Sequence, residues 1–137
     1  MDNAFMFDKK YTPIVSNLTN KEWKYSLHAH KTRNGIHYDL MLSPPNESLA
    51  YSWSTKTVPF RGGPTKARRT KDHLRSDMDF SGEFVSRTGF QRKKLLSKGN
   101  ANIPSIDDKG IRFDIGKSKY LLRHDNKKNY YIEVLDA

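Results

Sequence analysis

Apolar and polar residues alternate most clearly between Trp23 and Leu42. Tyr25, Leu27 and Ala29 interleave with Ser26, His28 and His30, and beyond Arg33-Asn34-Gly35 the pattern resumes as Ile36, Tyr38, Leu40 and Leu42 against His37, Asp39 and Met41. A period of two is the signature of a strand with one buried face. Asn-Gly favours the two positive-φ positions of a type I′ turn, so residues 24–33 and 36–43 are expected to form a β-hairpin. Ser43-Pro44-Pro45-Asn46-Glu47 interrupts the sheet, because proline removes ladder donors, and 49–55 reads as a third strand with Leu49, Tyr51 and Trp53 on one face.

Downstream the pattern weakens. Residues 56–77 hold Pro59, Gly62, Gly63 and Pro64 and a basic run, Lys66, Arg68, Arg69, Lys71 and Arg75, and read as a long charged surface loop. A strand at 79–87, a basic, helix-compatible turn at 91–98 and a Gly/Asn/Pro break at 99–105 follow. Strands at 111–115, 118–124 and 129–135 close the chain, separated by Gly116-Lys117 and Asp125-Asn126 turns. Seven short strands with little helical period predict an all-β domain, a small closed or partly closed β-barrel, spanning 21–137. Residues 1–20 lack either period and are expected to be an arm that docks through Phe5, Phe7 or Ile14.

Composition changes this picture in two places. Leu, Ile, Val and Phe make up only about one residue in five, a thin supply for a core, but 12% of the chain is aromatic and each ring buries a large area. A formal net charge of +10 favours a polyanionic partner, nucleic acid foremost, whose phosphates release counterions on binding. The chain has no cysteine, which excludes disulfides, thiolate metal sites and cysteine nucleophiles. No run of about 20 apolar residues and no signal-peptide plan occur, so the expectation is a cytoplasmic monomer that is neither secreted nor membrane-bound.

The hairpin gathers the candidate chemistry. With Asn34-Gly35 as a two-residue turn, His30 opposes Asp39 and His28 opposes Met41; a four-residue turn would pair His30 with His37 and leave the same residues on the same face. That face carries His28, His30, His37 and Asp39 and points away from the core set. His30, His37 and Asp39 form an N/N/O donor group with opposed Cβ atoms about 5 Å apart, suited to Mn²⁺, Fe²⁺ or Zn²⁺ better than to Mg²⁺. A solvated polar strand face is the plain alternative. His73 in the basic loop is a candidate phosphate donor or general acid, and His124 reads as structural. Arg33, Lys66, Arg68, Arg69 and Arg75 are candidate phosphate contacts.

His30, His37-Tyr38-Asp39-Leu40-Met41-Leu42, Tyr51-Ser52-Trp53, Gly62-Gly63-Pro64, Thr70-Lys71-Asp72-His73 and Asp79-Phe80-Ser81-Gly82 follow one another in order and at about the spacing of a known family. Across about residues 25–85 the chain resembles the 3′-phosphoesterase domain of ligase D, the nonhomologous end-joining ligase, and its stand-alone relatives. Gly110-Ile111-Arg112-Phe113 and Tyr120-Leu121-Leu122-Arg123 echo the family's closing strands more weakly. The resemblance implies a small β-barrel holding Mn²⁺ through His30, His37 and Asp39, with removal of a 3′-terminal ribonucleotide or 3′-phosphate to leave a ligatable 3′-OH. It implies DNA or RNA 3′ ends as substrate and a DNA ligase acting in trans as partner. Two positions depart from the family's pattern: Met41 stands where the family has a catalytic arginine, and Asp77 where it has a tyrosine. The gap before His37 is one residue longer than in the family, which keeps His28 open as a ligand in place of His30. A metal-free β-barrel that binds nucleic acid or a repair partner, stacking bases on Tyr51 or Trp53, is the alternative that these departures favour.

Overall fold

The computed structural model describes Ile14 and residues 18–136, and Phe5 and Phe7 of the expected arm lie outside them. Among the described residues nine strands follow in order: β1 (Glu22–Thr32), β2 (Gly35–Ser43), β3 (Leu49–Thr55), β4 (Thr65–Leu74), β5 (Gly82–Ser86), β6 (Gly89–Asp107), β7 (Gly110–Ile115), β8 (Ser118–Asn126) and β9 (Asn129–Asp136), with a 3₁₀ turn at Arg75–Asp79. The all-β expectation holds. All pairings are antiparallel, in the order β1-β2-β3-β4-β9-β8-β7-β6-β5, and β1 also pairs with β6. The sheet therefore rings through eight strands, and β5 hangs from β6 as an extra edge.

Nineteen-residue β6 makes the ring possible because it serves three partners in succession: β5 through Gly89–Lys93, β1 through Arg92–Asn102 and β7 through Asn102–Asp107. Register shifts bend it twice, once within the β1 pairing opposite Leu27/His28 and once between Asn102 and Ser105, where it passes to β7 and Pro104 costs no ladder bond. The predicted helical turn at 91–98 and break at 99–105 are thus both strand. Likewise the basic segment expected to be loop is largely β4, whose side chains alternate between the two faces.

Inside the ring pack Trp23, Tyr25, Leu27, Leu40, Leu42, Trp53, Ile103, Phe113, Leu122, Tyr130 and Ile132, joined by Ile14 from the N-terminal segment. Twelve per cent aromatics supply what the aliphatics do not: Trp53 meets Tyr130 edge-on at 5.6 Å, and Phe113 stacks on Tyr120 at 5.1 Å. Burial pushes the phenols of Tyr51 and Tyr130 up to about 12. Tyr51 and Trp53 are core residues, only 4% and 0% exposed, so they offer no surface for base stacking, contrary to the alternative reading. The remaining predicted strands stand close to their expected bounds. Among the described residues, no helix is long and apolar enough to cross a membrane.

Candidate metal centre

The β1–β2 turn differs from the Asn-Gly turn expected. Arg33 and Asn34 carry it without a positive φ, Gly35 takes the positive value (121°), and Thr32 pairs with Gly35. The turn keeps two residues but sits one position earlier, so the register sets His30 opposite His37 and His28 opposite Asp39, not opposite Asp39 and Met41 as an Asn34-Gly35 turn predicts. Face parity is unchanged. All four residues sit on the outer face of the sheet, because Leu27, Leu40 and Trp53 occupy the inner one.

On that outer face the imidazoles of His30 and His37 lie 4.5 Å apart, centroid to centroid, and share the Asp39 carboxylate. His30 Nδ1 is 3.0 Å from Asp39 Oδ2, and His37 Nε2 is 3.2 Å from Asp39 Oδ1. Burial pushes the Asp39 carboxyl up, but the hydrogen bonds and charges of the two histidines outweigh it and hold the group well below the usual carboxylate range. One donor atom from each residue falls within 4.8 Å of the other two, slightly more than the roughly 4.4 Å that two opposed bonds of about 2.2 Å cover, so the side chains need close in by only a small rotation to share one ion.

The hydrogen bonds around His30 supply a test of fit. Its Nε2 lies 2.6 Å from Gln91 Oε1, while the Gln91 amide donates to Ser86 Oγ at 2.7 Å and to Thr88 Oγ1 at 3.2 Å, which fixes Oε1 as the acceptor. Both ring nitrogens thus face oxygens, and a neutral imidazole has only one N–H. With Nε2–H given to Gln91, Nδ1 donates to Asp39 when the ring carries a second proton and offers a lone pair to a cation when it does not, the second being the arrangement a metal-ligating histidine and its outer hydrogen-bond acceptor adopt. The donor set fits a divalent transition metal.

His28 stands apart from this cluster. It is fully buried, its Nε2–H donates to the Phe80 carbonyl at 2.9 Å, and its Nδ1 is buried without a partner. Burial, reinforced by the Lys93 charge, lowers its pKa against the raising pull of the Phe80 carbonyl. Asp79-Phe80-Ser81-Gly82 thereby acquires a local meaning: Phe80 accepts from His28, and Ser81 Oγ accepts at 2.8 Å from Leu95 N–H, next to the β6 register shift.

His73, opposite Ala50 on β4, belongs to the same outer face. Its Nδ1 is 3.5 Å from Asp77 Oδ2, and Asp77 also accepts from Leu74 N–H at 3.2 Å, so the carboxylate orients the ring from the 3₁₀ turn. Burial and then Lys93 lower the His73 pKa, opposed by Asp39 and Asp77, which places His73 within the fields of both the cluster and Lys93. Met41 is wholly buried on this face in a small apolar cluster with Ala50 and Met78 of the 3₁₀ turn. A side chain there pins the turn that holds Asp77.

The basic residues divide. Lys66 and Arg68 are exposed and line a groove of about 570 Å³ with Ser54, Thr55, Lys56, Thr57, Pro64, Thr65, Thr70 and Asn129; Ser54 is the register partner of Asp39. Arg33 is exposed at the β1–β2 turn. Arg69 opposes Trp53 and is 3% exposed, its guanidinium 5.3 Å from the Tyr51 ring centroid, so strand alternation removes it from the surface group in which the sequence placed it. Arg75 donates to Ser43 Oγ and to the Pro44 carbonyl, both at 2.9 Å, and so ties the 3₁₀ turn to the end of β2. Gln91, Lys93 and Phe84, whose ring centroid is 6.2 Å from His30, are site residues the sequence did not reveal. They reach the cluster through the β1–β6 closure, a pairing some 60 residues apart in the chain that no local pattern encodes.

No family model matches the chain, and no curated protein does. The likeness to the ligase D phosphoesterase domain therefore rests on its motifs.

Proposed function

We propose that this chain is a metal-dependent phosphoesterase that heals nucleic-acid 3′ ends, a divergent stand-alone relative of the ligase D 3′-phosphoesterase domain, working as a cytoplasmic monomer with a ligase in trans. The observation that carries this reading is the His30, His37 and Asp39 cluster, its donors within 4.8 Å on a face that also holds His73. The histidine-carboxylate donor set suits Mn²⁺, Fe²⁺ or Zn²⁺, and the likeness to the ligase D domain selects Mn²⁺ among them. Bound there, such an ion supplies Lewis-acid polarisation of a phosphoryl oxygen and a water of lowered pKa.

The chain's own groups supply the rest. Asp39 holds both imidazoles in place, and Gln91 fixes the tautomer of His30. With Nδ1 turned to Asp77, His73 keeps Nε2 to serve a phosphate or leaving oxygen. Lys93 adds positive charge beside both, and Lys66 and Arg68 in the adjoining groove suit the backbone phosphates of the strand being trimmed.

A second reading, a barrel that binds nucleic acid without cutting it, is favoured by one observation: Met41 fills the family's arginine position and is buried against Met78. The test is an end-labelled primer-template bearing a 3′-phosphate or a single 3′-ribonucleotide, incubated with Mn²⁺ or EDTA, with Asp39→Ala in parallel. Manganese-dependent conversion to 3′-OH, lost in the variant, is expected. Salt-sensitive binding with no conversion would favour the second reading.

A further inference from the structure

Where β5, β6, β1 and β2 run past the ring they form a four-stranded ribbon with two free faces. One face holds His30, His37, Gln91 and Lys93. The other is set by register: Val85 opposes Phe90, Glu83 opposes Arg92, Arg92 opposes Lys31, and Lys31 opposes Ile36. Its apolar members are open to solvent, Val85 at 79%, Ile36 at 57% and Phe90 at 53%. Its single carboxylate, Glu83, lies 3.4 Å from Arg92.

A groove of about 470 Å³ opens on this side, lined by Lys31, Thr32, Arg33, Thr88, Gly89 and Phe90. It offers an aromatic ring, two cations and two hydroxyls, and no carboxylate lines it. An exposed ring beside paired cations is what an unpaired base and its flanking phosphates require. The groove is also wired to the metal centre: Thr88 Oγ1 accepts from the Gln91 amide, whose carbonyl oxygen faces His30.

We infer that this groove is a single-strand nucleic-acid site, in which a base stacks on Phe90 and the adjoining phosphates pair with Lys31 and Arg33. The inference rests on the nucleic-acid reading above and adds to it the substrate class: ends with an unpaired stretch, which turns over the β5–β6 edge between the groove and the metal centre. Positive charge decides the occupant, because an apolar protein partner would leave Lys31 and Arg33 unmatched on this face.

The test is fluorescence anisotropy of a labelled single-stranded oligonucleotide of about 12 nucleotides, across a salt series, with the full chain and with Phe90→Ala, Phe90→Trp and Lys31→Gln. Phe90→Ala is expected to weaken binding about ten-fold and Phe90→Trp to restore it. Lys31→Gln is expected to lower the slope of log affinity against log salt by about 0.7. Turnover of the 3′-phosphate substrate is measured separately. Phe90-dependent binding without turnover would keep this site and sink the phosphoesterase reading. Turnover with binding unaltered in Phe90→Ala and Lys31→Gln would overturn this site alone, as would an oligonucleotide that does not bind at all, or sedimentation showing that Phe90→Ala dissolves a dimer.

Discussion

Replacing Asp39 by asparagine separates a metal centre from a polar strand face. The carboxylate is 5% exposed and receives both imidazoles, at 3.0 and 3.2 Å. In EDTA the substitution trades charge-assisted hydrogen bonds worth about 1.5–3 kcal/mol for release from burying a charge, a cost of similar size. The net change in stability is therefore expected to stay within about 1 kcal/mol. With Mn²⁺ the balance differs: at a concentration a hundred times its dissociation constant, the ion stabilises the wild-type fold by about 2.7 kcal/mol. For a domain of this size that raises the melting temperature by about 8–10 °C. The carboxamide lacks the charge to keep the ion, so the variant's shift should vanish. Thermal unfolding near neutral pH, with EDTA or a Mn²⁺ titration, reads all four numbers. An equal manganese shift in both proteins, or no shift in the wild type at millimolar Mn²⁺, would refute the assignment of these residues as ligands.

Two further outcomes follow from the fold itself. Gly110 sits at φ 148°, and a Cβ there would stand 2.1 Å from the Leu122 carbonyl oxygen, so Gly110→Ala is expected to cost at least about 3 kcal/mol in urea unfolding, whereas Gly63→Ala, with open space around it, should change stability by less than about 0.5 kcal/mol; equal effects would mean that β7 and β8 do not approach as described. In EDTA, stability should fall as pH drops through 6.5, by up to about 1.4 kcal/mol per pH unit for each of His28 and His73, because burial lowers both pKa values and the unfolded chain takes up the protons first; His28→Gln should remove about half of that slope, and a flat profile would contradict the burial of both rings.

The hairpin, β3 and the three closing strands were legible because each has one face in the core and one in solvent, and so alternates. Face parity alone put His30, His37 and Asp39 together, which is why the cluster survived a wrong turn type. The segments that misled are those where alternation carries no apolar signal. Residues 91–95 of β6 lie beyond the ring, with cations on both faces, and 99–105 bend where the strand changes partner. β4 hides its inward positions under Ala67 and a buried arginine, so its pattern reads as uniform charge. Tyr51 and Trp53 share the face their alternation predicts, but that face is the core, which claims both rings.

The placement of the three donors has a consequence for how the molecule assembles. His30, His37 and Asp39 span ten residues of one hairpin, whereas Gln91 and Lys93 join them only when β6 pairs with β1 across some 60 residues of chain. Local contacts form early and distant ones late. On the metal-centre reading, the hairpin could capture a cation as soon as residues 22–43 have left the ribosome, before β6, the strand that encloses the donors, has been made. The ion would then act as a folding template for the β1–β2 ribbon, and metal supply during synthesis would govern how quickly the ring closes.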